Sequence, residues 1–473
     1  MTCDLKPYPA YKDSGVPWLG DVPAHWVIKP LKRWVRINVE VLPENTDANC
    51  EFRYLDIGTV GTGILTGKPQ RLKFGGAPSR ARRVLHRGDT IISTVRTYLK
   101  AVYFVSEDAH DLIASTGFAV LTPVQGVDPR FLSFLVQSDP FTDRVSADSV
   151  GTAYPAIAET RLGTFHVAIP PLPEQAGIVR YLDYVDRRIR RYIRAKQKLI
   201  ALLNEQKQAI IHQAVTRGLD PNIRLKSSGV EWLGDVPAHW SIQRTKNLFR
   251  LRTQKSGNRH GLELLSIYTH IGVRPRKELE ERGNKASTTD DYWIVREGDI
   301  IVNKLLAWMG AVGVSNYEGV TSPAYDILMP IRELVPEFYH HLFRTTLYLQ
   351  QFKQHSRGIM DMRLRLYFDQ FGQIPLLAPP LEEQSAIVAF CINTAANFDR
   401  TIETANRQIA LLREYRTRLI ADVVTGKLDV RAAAVALPEE TEEPEQLDET
   451  DALSDADGEP ADDLDAMSEE AAV

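Results

Sequence analysis

The sequence predicts an α+β protein: two α+β modules separated by two long antiparallel helices of coiled-coil type, in a pseudo-twofold circular arrangement. Three observations predict it. Thirteen residues recur almost unchanged, SGVPWLGDVPAHW at Ser14–Trp26 and SGVEWLGDVPAHW at Ser228–Trp240, offset by 214, with only Pro17 against Glu231 differing. A second repeat follows each copy, PPLPEQAGIV at Pro170–Val179 and PPLEEQSAIV at Pro379–Val388, offset by 209. After each second repeat comes a matched apolar stripe. A period above 200 residues is far longer than solenoid units of roughly 20–50 residues, so the chain is a duplicated unit. The fillings between the repeats, Val27–Ile169 and Ser241–Ala378, have little in common.

Each unit reads in three parts. The opening motif carries Pro and Gly for a turn and aromatic residues to pack against the module, a scaffold role. The filling alternates β-branched runs such as Asp89–Val95 and Asp299–Val302 with Gly-Asp turns, followed by amphipathic helical stretches at Phe131–Gln137 and Glu337–Phe343. A long helix closes the unit, over Ile178–Ala214 in the first copy, roughly 55 Å at about 1.5 Å per residue. Ile189, Ile193, Ile200, Leu203 and Ile210 share one face of it; Phe398, Ile402, Ile409, Leu412 and Leu419 repeat the spacing in the second. The matched stripes make each helix the simplest partner for the other. Glu174-Gln175 and Glu383-Gln384, just after a double proline, read as helix-start residues near the positive end of the dipole. Lys6–Lys12 resembles the linker before Ser228, so the two folded ends are expected side by side. The segments are therefore 1–169, a module with its opening motif; 170–217, a helix; 218–378, a linker and second module; 379–430, a second helix; and 431–473, an acidic tail expected to be disordered.

The net charge of −4 conceals an asymmetry. From Pro438 onward the chain holds 16 of its 61 acidic residues and no Lys or Arg, which leaves residues 1–437 at +12. Such a body attracts a polyanion by counterion release. Cys3, Cys50 and Cys391 are too few and too scattered for a disulfide framework or a zinc site, which points to a reducing, cytoplasmic setting. The opening residues lack the apolar stretch of a signal peptide. The longest apolar run, near Leu305–Val314, is about half of what spans a bilayer. A soluble protein without membrane contact follows.

Catalytic motifs fail one by one. Gly61–Lys68 mimics a phosphate loop, but Thr62 sits where the first glycine belongs and Pro69 where the Mg²⁺-binding hydroxyl belongs, so it reads as a glycine turn. No nucleophile elbow, zinc-protease helix or adenine-methyltransferase (D/N)-P-P-(Y/F) motif occurs. His340-His341 is adjacent, so on a helix its members diverge; a surface helix is expected there rather than a metal site. No catalytic, cofactor or metal residue is assigned.

With W-L-G-D-x-P-x-H-W before each filling and P-P-L-x-E-Q plus a long helix after it, the chain resembles the specificity subunit of type I restriction–modification systems over about residues 8–430. Gly88–Arg96, Ser115–Phe118 and Val150–Pro155 fit that pattern in the first unit, as do Gly298–Trp308, Ser322–Tyr325 and Ser356–Gly358 in the second. The acidic tail lies outside the pattern. The resemblance implies two target recognition domains, each reading half of a split double-stranded DNA site, with the helices as spacer and dock for two methyltransferase subunits. Restriction/translocase subunits would join them. S-adenosylmethionine would belong to the methyltransferase, which would flip its target base, and ATP and Mg to the restriction subunit; this chain would be non-catalytic. The residue-level reading agrees. A separation near 55 Å exceeds one DNA turn of about 34 Å, and differing fillings predict an asymmetric site with an unread gap. Candidate DNA contacts are Arg80, Arg82, Arg83, Arg96, Tyr98 and Lys100 in the first module, and Arg274, Arg276, Lys277, Asn303, Lys304, Arg357, Arg363 and Arg365 in the second. Two other classes compete: a nuclease or methyltransferase acting alone, against which the missing motifs count, and a coiled-coil assembly scaffold without sequence-specific DNA binding, against which the basic body counts.

Overall fold

The computed structural model describes residues 5–107, 109, 111–257, 261–269, 271–278, 291–358 and 364–438. The tail beyond Pro438 and Arg363 lie outside the described residues. The first module begins with the hairpin β1 (Tyr11–Asp13) and β2 (Asp21–Pro23), and β3 (Val27–Pro30) leads in. Two four-stranded sheets follow. Their strands are β4 (Val35–Ile37), β5 (Glu51–Leu55), β6 (Gln70–Lys73), β7 (Ala81–Val84), β8 (Thr90–Ser93), β9 (Val102–Phe104), β10 (Leu112–Ser115) and β11 (Phe118–Pro123). One sheet has the order β6-β5-β10-β7, with β10 parallel to β5; the other is β4-β11-β8-β9. All four residues of β8, Thr-Ile-Ile-Ser, are buried, as expected of a β-branched central strand covered on both faces. Helix α1 (Pro129–Gln137) starts on proline, with Asp128 Oδ1 accepting from the Arg130 and Phe131 amides at 2.8 and 3.0 Å. Then come α2 (Asp139–Ala147), α3 (Glu159–Leu162) and β12 (His166–Ile169), which returns to pair with β3.

Helix α4 (Leu172–Arg217) is longer at both ends than the apolar periodicity indicated. The second module repeats the frame with β13 (Leu225–Ser227), β14 (Asp235–Pro237), β15 (Ser241–Arg244), α5 (Thr245–Leu248) and β16 (Phe249–Leu251). Its smaller pairs are β17 (Leu265–Tyr268) with β18 (Gly272–Pro275), and β19 (Trp293–Val295) with β22 (Gly319–Thr321). Its main sheet, β16-β23-β20-β21, contains β20 (Ile300–Asn303), β21 (Val312–Val314) and β23 (Tyr325–Pro330). After α6 (Pro336–Phe343), α7 (Thr346–His355) and α8 (Phe368–Phe371), β24 (Pro375–Ala378) closes on β15 as β12 closes on β3. Helices α9 (Leu381–Val424) and α10 (Arg431–Val435) complete the chain.

Two compact units emerge, one from residues up to Lys196 together with those from Arg407, the other from Gln197–Asn406. Each therefore contains half of each long helix, a division the five sequence segments did not have. In the first unit Asp186 of α4 accepts from Arg190 on its own helix and from Arg416 of α9; in the second, Lys207 of α4 meets Asp399 of α9 at 2.7 Å. Along the stripes, Ile189, Ile193, Ile409 and Leu419 are buried and Ile200, Leu203, Ile210, Phe398, Ile402 and Leu412 are half-buried. The folded ends meet inside the first unit: the Asp429 amide donates to the Lys6 carbonyl at 2.8 Å, and Tyr11 Oη donates to the Gly426 carbonyl at 3.1 Å. Gly426 has φ +78°, and a Cβ there would stand 2.3 Å from Pro23 Cδ, so this junction demands glycine. The folded part also runs past residue 430, where the tail was placed. Ala434 of α10 is buried in the first core beside Trp26 and Val424, because the alanine-rich run Arg431–Val435 supplies an apolar face that composition alone did not separate from the tail.

Candidate nucleic-acid interface

The modules are seated by a clamp built from the two repeats. In the first unit Glu174 accepts from Tyr8 Oη (2.8 Å) and Trp26 Nε1 (2.9 Å) and pairs with His25 Nε2 (2.7 Å). Gln175 Oε1 accepts from the Asp128 amide, and its Nε2 donates to the Gly126 and Pro170 carbonyls. In the second unit Glu383 pairs with His239 (2.7 Å), and Gln384 bonds the Val335 amide and the Pro379 carbonyl. The expected helix-capping role is thus corrected: Glu174 and Glu383 reach across to the opening motif, while Gln175 and Gln384 fasten the loop before α1 or α6. Trp26 and Trp240 are fully buried.

In the first module three segments converge beyond the end of β8. Val95 bridges to Ala156, and the Arg96 amide donates to the Pro155 carbonyl at 2.8 Å. Arg96 has φ +52° and Lys100 φ +48°, two of the three non-glycine residues with positive φ among the described residues. Backbone strain of this kind is maintained at sites whose surroundings over-determine it. The surroundings here are Thr97 Oγ1 donating to Ser149 Oγ (2.8 Å) and Thr62 Oγ1 donating to the Lys100 carbonyl (2.8 Å). The Gly61–Lys68 loop is a glycine turn, as expected, joined to β9 through the Gly63 amide and the Val102 carbonyl. On the surface so formed, the Arg96 guanidinium lies 4.9 Å from the Tyr154 ring centroid. Tyr98, Val150 and Tyr154 are exposed at 57, 80 and 64%. Sequence reasoning placed Arg96 and Tyr98 here but missed Val150 and Tyr154; two large apolar residues within a Gly-Thr-Pro loop were the available signal.

The other candidates of this module separate. Arg80 is exposed, with Nη2 3.0 Å from Asp56 Oδ2. Arg82 lies 4.7 Å over the Phe74 ring. Arg83, its neighbour on β7, takes the other face of the strand and is bound to Glu159 of α3 at 2.5 Å with its side chain 15% exposed. Lys100 Nζ lies 2.8 Å from both Asp139 and Asp143, its charge already answered. Both of these expected DNA contacts are held in ion pairs within the module.

The second module puts corresponding segments together. Asn303, at the end of β20, is fully buried, and its Oδ1 accepts from the Leu305 and Leu306 amides at 3.0 and 3.2 Å. Its side-chain oxygen thereby shapes the turn. Lys304 Nζ donates to the Pro323 carbonyl (2.7 Å) with Asp326 at 3.7 Å. The Lys304 carbonyl accepts from the Leu366 amide at 2.8 Å, which brings the loop after α7 alongside. There the backbones of Arg357 and Arg365 pair, and Arg357, exposed, approaches Asp369 at 3.0 Å. Lys353 Nζ lies 4.9 Å over Trp308, which with Met309 forms the turn; neither aromatic nor lysine was singled out from sequence. Elsewhere, Arg274 donates to Tyr317 Oη at 3.1 Å, Arg276 follows β18, and Lys277 meets Glu263. His340 and His341 are half-buried on α6. Burial, aided by neighbouring cationic groups, pushes His340 down to about 3 and His341 down to about 4, and His340 Nδ1 accepts from the Val314 amide at 3.3 Å. Gly313 permits this approach, since a Cβ there would sit 3.1 Å from that nitrogen. Among the described residues no cluster of His, Cys, Asp or Glu could hold a metal, and no helix is long and apolar enough to cross a membrane.

Comparison with known proteins gives this geometry a family. Residues 72–200 match the family model described as the type I restriction modification DNA specificity domain. The specificity subunit of the type I restriction enzyme MjaVIII from Methanocaldococcus jannaschii is 20% identical over 306 residues, 61% of this chain and 68% of that protein. A chain from a structural study of complex assembly and conformational transition of a type I restriction–modification system shares the fold, with a TM-score of 0.64, 22% identity, and coverage of 86% of this chain and 99% of that one. Members of this family are non-catalytic and carry no cofactor of their own. The duplicated frame and these likenesses agree: residues 72–200 match the type I restriction modification DNA specificity domain, and the chain is similar to the DNA specificity subunits of type I restriction–modification systems.

Proposed function

We propose that each module reads one half of an asymmetric, bipartite double-stranded DNA site through the face formed by the turn after its central strand and the returning loop. In the first module Arg96, Tyr98 and Tyr154 are the base-facing group, with Val150 as an apolar contact and Arg80 and Arg82 on the phosphates. In the second, Arg357 and Arg365 lead, joined by Trp308, Met309 and Lys353, with Arg274, Arg276 and Lys277 flanking; Arg363 is proposed from sequence alone. The observation that carries this reading is the contrast between frame and filling: the clamps repeat, while the loops they present do not. Guanidinium and aromatic groups together suit direct readout in a groove. The exposed helix residues Tyr192, Leu199, Leu202, Ile392, Leu411 and Tyr415 are the surface for two methyltransferase subunits, with restriction/translocase subunits joining the assembly. S-adenosylmethionine, ATP and Mg act in those partners.

The test is single-molecule sequencing of methylated bases in the host genome before and after deletion of the gene. Loss of methyladenine from one split, asymmetric motif is the expected result. Unchanged methylation, together with no DNA protection by the reconstituted complex, would favour the assembly scaffold.

A further inference from the structure

The two long helices share an apolar stripe but not a charge pattern. Arg180–Lys196 of α4 holds seven basic residues against Asp183 and Asp186; the matching stretch of α9, Ala389–Ala405, holds one basic residue, Arg400, against Asp399 and Glu403. Arg180, Arg187, Arg191 and Arg194 are spaced 7, 4 and 3 apart, which sets them on one face of the helix over about 21 Å. Arg180, Arg187 and Arg191 are exposed and Arg194 is half-exposed. At the matched positions α9 has Ala389, Ala396, Arg400 and Glu403, so the basic stripe is no part of the duplicated frame. The chain itself leads onto it: Arg180 Nη2 donates to the Leu437 carbonyl at 3.0 Å, one residue before the acidic sequence begins.

We infer that the basic stripe of α4 is the docking track for this chain's own C-terminal segment, residues 439–473. That segment holds 16 acidic residues and no Lys or Arg, and it starts at the N-terminal end of the stripe. Its 35 residues exceed several-fold the chain needed to cover about 21 Å at about 3.3 Å per residue. Tethering raises its local concentration above that of any free polyanion. Docked, it withholds the stripe from the phosphate backbone of non-specific duplex, so that DNA binding depends on the two recognition faces. This inference does not rest on which residues of those faces read bases.

The experiment places a photo-cross-linking amino acid at Leu453 in the full chain and maps cross-links by mass spectrometry, with and without the double reversal R187E/R191E. Cross-links on the Arg180–Arg194 stretch, reduced about tenfold by the reversal and by raised salt, are the expected result. An unchanged melting curve for the double variant shows that the fold is intact. Cross-links concentrated on residues 96–100 or 150–155, or cross-links indifferent to the reversal, would overturn the proposal. Binding of a non-specific duplex to the full chain supplies a second readout. Weakening of that binding by R187E/R191E would make the stripe a DNA track and refute tail docking. Loss of methyltransferase assembly in the double variant, with tail cross-links unchanged, would make it a partner surface and refute it equally.

Discussion

The two clamps begin from nearly the same words and end as different structures. Glu174 is 7% exposed at its side chain and satisfies Trp26, Tyr8 and His25; Glu383 is 23% exposed and pairs with His239, while Trp240 Nε1 is buried without a hydrogen-bond partner. The shared motif supplies tryptophan, histidine and glutamate in both. The third donor comes from outside it: Tyr8 stands in the first unit where the aligned linker position of the second is Asn222. Arg431 of α10 covers Tyr8, its guanidinium 5.1 Å from the ring centroid. Burial, with the Glu174 hydrogen bond, holds the Tyr8 hydroxyl well above its usual pKa, so it stays a donor. Repetition of sequence therefore fixes the histidine–glutamate pair, and the neighbours fix which further donors join it and how dry the meeting is.

The largest expected effect tests that difference directly. Glu174→Ala leaves two buried donors unanswered and should destabilise the first unit by about 3 kcal/mol, against about 1 kcal/mol for Glu383→Ala in the second. Peptide-resolved native-state hydrogen exchange measures both, and equal losses would dissolve the distinction.

Acid should separate the units in the opposite sense. Counting from the prolines that begin α6 and α1, His340 and His341 correspond to Ser133 and Phe134. Both histidines have folded pKa values below the unfolded value of about 6.5. The unfolded state then binds more protons as the pH falls, so stability is full above about 6.5 and is lost on going down towards about 4. With two groups titrating, the second unit should lose about 2 kcal/mol per pH unit between about pH 6 and 5. His340→Ser with His341→Phe should remove the slope; persistence of the slope would assign it elsewhere.

Base reading gives smaller, module-specific changes. Arg96→Ala or Tyr98→Ala should cost about 1–2 kcal/mol with the intact site and relax one position of the first half-site only. Arg357→Ala should do the same in the second half-site. Binding series with single-base changes in each half check this, and relaxation in both halves at once would contradict the assignment. The smallest contrast sets Arg80 against Lys100. Arg80→Ala, which removes a side chain 56% exposed and paired with one carboxylate, should reduce the salt slope of DNA binding by about one unit, whereas Lys100→Ala, which removes a side chain 31% exposed and held between Asp139 and Asp143, should leave the slope unchanged and cost about 0.5 kcal/mol of stability.

Much of this protein is legible in the chain itself. The duplication, the long helices with matched stripes, the adjoining ends and the family follow from two repeats and a period, because periodicity and spacing are properties of the chain itself. Arg96-Thr-Tyr98 could be placed at a loop for the same reason, since it follows a β-branched run. Which charged residues face a ligand was not legible. Arg83 and Arg82 are neighbours in sequence, yet strand pleating sends one to Glu159 and the other to the Phe74 ring. The partners of Lys100 and Asn303 were not legible either: Asp139 lies 39 positions from Lys100, and the turn's own amides meet Asn303. Glu174 looked like a cap until Tyr8 and Trp26, 166 and 148 residues distant, were found on it. The sequence by itself determined the frame, its duplication and the elements that carry it. The tertiary structure alone decided which side chains are engaged in holding that frame, because a charge is met by whatever folding brings within about 3 Å, and for Arg83, Lys100 and Glu174 that neighbour is far away in sequence.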